Sequence, residues 1–374
     1  MKQDRHIPAT RARSPFTMAL GLAAVAVMVL LAPLSVAWVS GHRGGSGTGS
    51  GTDVLAAPEA TQPDTARQQA IQPLGVRPSH LGNSPVSSVP NQQAITLALW
   101  APGIDHGYVP QGLAFAEGQV LVSGYRSTSP AVSMGACRVY RVDPATGEST
   151  GYFDLPPACG HAGGLAYAGD GVLILSDTRR LYRINLEHAL REQHARNAIT
   201  GILDLGGALR GSFSAFVPAQ AWPGDMSGNQ PDNQTGSEPV PGPGVFIGAW
   251  STSARKARGY FLPLSLFDSH TGSTITENNA THTLALRARA QGGSFAPDGS
   301  LWLSYSSHDF GRVEQLDAAS GQILASYLLV NGTEDIGFDN KGNLWAVSEA
   351  GSLRWRSWRT SFPVVFRLDT TLLE

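Results

Sequence analysis

Charge is scarce in this sequence and cysteine scarcer still. Only 15% of the 374 residues are charged and the formal net charge is −2, which excludes a protein that binds nucleic acid through its overall charge. Two cysteines, Cys137 and Cys159, are too few for a disulfide scaffold, and their spacing does not suggest a zinc site. They are either free thiols or one bridge formed in an oxidising compartment. There is no Gly-x-Ser-x-Gly elbow, no phosphate-binding glycine loop and no His-Glu-x-x-His pair, so three common catalytic devices are missing. What is plentiful is turn chemistry: 43 Gly and 24 Pro among many β-formers describe an all-β domain with frequent reversals.

One long apolar run exists, Phe16 to Val39, behind Lys2, Arg5, Arg11 and Arg13. It is long enough to span a bilayer, and the basic residues before it keep that end in the cytoplasm, so the rest of the chain is expected outside. Two readings stand: a transmembrane anchor, or a signal peptide cleaved after Ser35-Val-Ala37. Residues 40–92 are Gly/Ser/Thr-rich and then Pro/Gln/Ala-rich without apolar periodicity, which predicts a disordered tether.

From Ile95 onward one phrase recurs five times: Gln111–Phe115, Gly163–Tyr167, Ser212–Phe216, Gln291–Phe295 and Glu334–Phe338. A turn and an apolar strand follow most copies, for example Val120–Tyr125, Val172–Asp177 and Leu301–Tyr305. Such self-similarity predicts a β-propeller over residues 93–374, its small-residue phrase forming the crowded inner strands. Each repeat offers strands A to D, except that the last ends before its D strand. Ile95–Trp100 has the missing character and would complete that blade, closing the ring and removing the sheet edges. Five blades are expected, with six as the alternative if the third repeat hides another. Three insertions stand out: a Pro/Gly/Asn-rich loop at 218–244, a short helix within 187–198, and a long B–C loop at 348–362.

Strand direction places the D–A and B–C loops on one face, here called the top. Both cysteines fall there, where a disulfide would brace the channel mouth. The phrase openings Gln111, Gln291 and Glu334, with His106 and His161 nearby, converge on the mouth, as do Asp177, Tyr305, His308 and Glu349 from the ends of the B strands. Imidazoles and carboxylates so gathered could bind a divalent metal (Glu334, His161, His106) or perform acid–base chemistry, with His161, Glu334 and Asp177 as the catalytic candidates. They could equally be an ordinary polar channel lining.

The B–C loops carry ten cations, among them Arg126, Arg179, Arg354, Arg356 and Arg359, against Asp177, Asp309 and Glu349. A cationic top suits an anionic partner, and Trp355 and Trp358 could stack on sugar rings. The expected ligand surface is therefore Gln111, Arg126, Arg179, Gln291, Tyr305, His308, Glu349, Arg354 and Trp355.

Pro110-Gln-Gly-Leu-Ala-Phe115, Ala296-Pro-Asp-Gly-Ser-Leu-Trp302 and Asp339-Asn-Lys-Gly-Asn-Leu-Trp345 resemble blades of the NHL-repeat, gluconolactonase/regucalcin-like and strictosidine-synthase-like propellers. The phrases at 110–114 and 160–166 are also similar to those of exported bacterial propeller proteins. The resemblance to gluconolactonases implies a metal held by a strand-opening Glu together with Asn and Asp. Only Glu334 matches, and Tyr305 stands where an acidic residue belongs. Three functions follow as expectations. The first is a membrane-tethered or periplasmic propeller binding an anionic small molecule, glycan or envelope protein, without nucleic acid. The second is a metal-dependent lactonase or esterase. The third is a scaffold that binds protein partners at its rim.

Overall fold

The computed structural model describes residues 70–222 and 242–374. The apolar run at 16–39, the start of the expected tether and most of the 218–244 insertion lie outside the described residues. Among the described residues no helix is long and apolar enough to cross a membrane.

Among the described residues twenty-one strands form five sheets arranged as a five-bladed β-propeller. After β1 (Ile95–Trp100), the first blade is β2 (Tyr108–Ala116), β3 (Gln119–Arg126), β4 (Cys137–Val142) and β5 (Ser149–Asp154). The second is β6 (Gly164–Tyr167), β7 (Val172–Asp177), β8 (Arg180–Asn185) and, after helix α1 (Leu186–Glu192), β9 (Ile199–Leu205). The third is β10 (Phe213–Val217), β11 (Gly244–Gly248), β12 (Arg258–Pro263) and, beyond the one-turn helix α2 (Leu266–Ser269) and β13 (Ser273–Ile275), β14 (His282–Ala285). The fourth is β15 (Ala290–Phe295), β16 (Leu301–Ser306), β17 (Gly311–Leu316) and β18 (Ile323–Leu329). β19 (Thr333–Phe338), β20 (Leu344–Ser348) and β21 (Val364–Leu368) make the fifth, and β1 pairs antiparallel with β21 to complete it. β13, three residues long, is an addition the repeat pattern does not announce; it pairs parallel with β9 on the neighbouring blade.

The inner strands touch one another in a closed ring because their side chains are nearly absent. A Cβ on Gly164 would sit 2.2 Å from the backbone nitrogen of Ser214 in the next blade, and one on Gly292 would meet the Asp335 Cα at 2.4 Å. The aromatic that closes each phrase does the opposite work, packing outward on the preceding blade. Phe115 lies 5.1 Å from Trp345 and Phe338 lies 5.8 Å from Trp302, ring centre to ring centre. Five apolar clusters fill the five gaps between blades, so the core is a ring of interfaces rather than one central mass.

The turn between β19 and β20 explains its own sequence. Asp339 accepts hydrogen bonds from the backbone N–H of Lys341 and Asn343, each at 2.9 Å, and from the Trp345 indole at 3.0 Å. Gly342 supplies the positive φ (77°) that the reversal requires.

The expected tether at 40–92 needs correction from residue 70 onward, because residues 70–92 are ordered. Leu74 forms a parallel bridge with Leu99 at the outer edge of the fifth blade. The Arg77 guanidinium lies 5.0 Å from the Trp100 ring, and Val89 is buried in the cluster between the fourth and fifth blades. This strap covers an edge that would otherwise be open.

Candidate functional site

Three inner strands carry an irregularity at the same height, near their top ends. The pairing register shifts between Pro110 and Leu113 in β2, between Ala290 and Gly292 in β15, and between Thr333 and Ile336 in β19. Bulges of this kind re-aim side chains. Here they sit where Gln111, Gln291, Glu334 and Asp335 meet at the channel.

Asp335 is fully buried and links four inner strands. Its carboxylate accepts backbone N–H bonds from Leu113 (2.9 Å), Leu165 (3.4 Å), Gly293 (3.2 Å) and its own neighbour Ile336 (3.0 Å). Burial pushes its carboxyl well above the ordinary range, while the four donors favour the charged form. Its role is to hold the ring together.

Glu334 and Glu349 lie above it as a buried pair of mutually interacting carboxyls. Gln291 Nε2 donates to Glu334 Oε1 at 3.0 Å and Gln111 Nε2 to Glu349 Oε2 at 3.2 Å. Burial drives Glu349 up to about 7. Burial and the adjacent Glu349 charge drive Glu334 well above the usual range. The pair therefore keeps a proton between them at neutral pH.

The B–C loop of the fifth blade, residues 349–362, closes over this pair. Its Arg354 is 7% exposed, donates to the Pro130 carbonyl at 3.3 Å, and lies between the rings of Tyr125 (5.4 Å) and Trp355 (4.3 Å). The stack runs on through His161, 4.6 Å from Tyr125, and through Trp358, 4.8 Å from Trp355. The Trp355 indole N–H is close enough to Glu349 to favour its charged form, yet makes no hydrogen bond of good geometry. The strap secures this loop at both ends: His80 Nε2 lies 2.9 Å from the Gly351 oxygen, and Ser87 N donates to Ser361 O at 2.9 Å.

Other sequence candidates fall elsewhere. Asp177 accepts the backbone N–H bonds of Gly160, His161 and Ala162, shaping the loop whose Cys159 is disulfide-bonded to Cys137 with their Cα atoms 5.9 Å apart. His161 is held against Tyr125, and burial lowers its pKa. His106 is exposed on the rim, where its backbone oxygen accepts from Arg126. The donors considered for a metal, Glu334, His161 and His106, thus do not assemble into a ligand set. Among the described residues only Cys137, Cys159 and Asp177 bring three such groups together, and the disulfide uses both sulfurs. Tyr305 does not reach the mouth. It is 3% exposed in the core between the third and fourth blades, on the same face of β16 as Leu301 and Leu303.

The ten cations of the B–C loops also divide. Arg180 pairs with Asp204 at 2.6 Å, Arg258 and Arg312 donate to nearby oxygens, and Arg354 is buried. Arg126, Arg179, Arg255, Lys256, Arg356 and Arg359 are exposed, with no carboxylate partner among the described residues. Arg179 also lies near enough to Arg210 to lower its pKa, after burial as the larger cause.

No protein-family model matches the chain, and no curated protein matches it. Solved structures do. The chain is similar to glutaminyl cyclase from Myxococcus xanthus at 11% identity and a TM-score of 0.46, covering 74% of this chain and 94% of that one. It is similar to the luciferin-regenerating enzyme at 10% identity and 0.35, covering 74% and 96%. It is also similar to BamB from Moraxella catarrhalis at 13% and 0.30, covering 69% and 57%. What the chain has in common with such neighbours is the β-propeller fold.

Proposed function

We propose that this chain is an exported propeller, of kin with the NHL-repeat and regucalcin-like group, that binds an anionic ligand on its top face. The observation that carries the reading is the set of six exposed cations on the top loops without carboxylate partners among the described residues. The covered mouth fits the same reading, since Arg354 and Trp355 leave the rim as the surface a partner meets. The basic start, the apolar run at 16–39 and the disulfide support export and a periplasmic or extracellular site, with the run as anchor or cleaved leader. Binding of the full chain to a carboxylated or sulfated polymer should weaken steeply with rising salt. An Arg126→Gln/Arg179→Gln/Arg356→Gln variant should bind about tenfold more weakly. A response that is flat in both tests rules the reading out.

The carboxyl pair supports a second reading. A protonated Glu beside an ionisable one is acid–base apparatus of the kind hydrolases use, and here it needs no metal ligand set. It would act on a ligand that displaces Trp355. A lactone and ester screen in which activity disappears with Glu349→Gln, while polyanion binding persists, would separate this reading from the first.

A further inference from the structure

On the rim between the fourth and fifth blades lies a cavity of about 610 Å³, within the size range of ligand sites. Its lining includes Trp358, His308, Arg359, Ser87, Ser357 and Thr360. We propose that this cavity is a subsite for one uronic acid residue, so that the anionic ligand is an acidic polysaccharide; the inference rests on the top-face reading above.

Trp358 is a fixed platform. One face stacks on Trp355 at 4.8 Å and 26°, and a Cβ added to Gly332 would stand only 2.9 Å from the ring. Beyond Trp355 the stack is continued by Arg354, Tyr125 and His161, which anchors the platform to the first and second blades. A ring held in this way meets a ligand without losing rotamer freedom. His308 stands 6.4 Å from Trp358, and its backbone oxygen is held by Asn331 Nδ2 at 2.7 Å.

The surrounding groups select the ligand. Hydroxyls of Ser87, Ser357 and Thr360 suit a polyhydroxylated ring, whose C–H face would lie on the indole. Exposed Arg359 has no carboxylate partner among the described residues and can take the sugar carboxylate as a bidentate pair. Asp309 also lines the cavity, but its carboxylate is engaged by the Ser307 hydroxyl and lies 3.9 Å from Arg289 Nη1. One cation beside an aromatic face fits a sugar acid better than a polyphosphate, which needs several cations, or an acyl chain, which needs apolar walls.

The test compares polygalacturonate with linear polyphosphate, titrated calorimetrically into the full chain and two variants. Trp358→Ala removes the platform. Ser357→Trp fills the cavity from an exposed position and keeps the test informative if the first variant folds poorly. Each should weaken polygalacturonate binding about tenfold and change polyphosphate binding less than about twofold. If both polymers bind and neither variant matters, the subsite is wrong while the cationic face stands. Equal loss of both polymers would reduce Trp358 to a general rim residue and overturn sugar recognition. If neither polymer binds the parent protein, the top-face reading fails and takes this inference with it.

Discussion

Glu349 holds its proton up to about pH 7 because burial at the channel mouth removes the water that would solvate its charge. In the unfolded chain the same carboxyl titrates near 4.5, so between these values the folded protein binds more protons than the unfolded one. Stability from this group is therefore full below about pH 4.5 and falls as pH rises through about 7. Urea midpoints at pH 5 and pH 8 should show the fall, and Glu349→Gln should reduce it. A variant with an unchanged pH slope would mean that the pair is not what titrates. Asp335 shows how far the sequence reveals such chemistry. Two adjacent acids opening an innermost strand are a visible signal, since burial there demands partners. That those partners are four backbone N–H groups from four strands is visible only once the ring is closed. Tyr305 misleads for a related reason. It ends a B strand, but strand alternation sets its side chain with Leu301 and Leu303 in the interface between blades.

The loop at 349–362 and the strap at 70–92 work as a unit. Loop residues cover the carboxyl pair, and the strap holds the loop through His80 and Ser87. Ser87→Pro removes the N–H that bonds to Ser361, and His80→Ala removes the contact at Gly351. The double variant should speed hydrogen exchange of the amides at 350–361 while leaving the blade strands protected; unchanged exchange would show that the strap does not restrain the loop. The loop's basic and aromatic residues are legible in sequence because they cluster. The strap is not, because its apolar contacts (Leu81, Val86 and Val89) are scattered through a Pro- and Ser-rich stretch, and its other ties are backbone bonds that composition does not encode. For the same reason β13 escapes notice: three residues, Ser273 to Ile275, are too few to display alternation.

At the scale of the molecule the repeated phrase carries most of the information. It sets the blade number, the inner strands and the need for a closing strand, since each copy must satisfy the same crowding at the axis and the same aromatic packing outward. Closure also makes a prediction. Removing residues 364–374 strips β21 from between β20 and β1 and leaves two long unpaired edges. The truncated chain should lose its cooperative thermal transition, and a peptide of residues 362–374 should restore it. A truncated chain that still melts in one sharp step would show that the ring does not need this closure. The order in which the strands become available sharpens the point. Thr96 in β1 and its hydrogen-bond partner Arg367 in β21 are 271 residues apart. At a synthesis rate of about 5–20 residues per second, β1 leaves the ribosome roughly 15–50 s before its partner exists. The inner edge of the first strand is thus the last in the propeller to be paired, and for that interval the nascent chain carries an apolar strand covered only on its outer side by the strap.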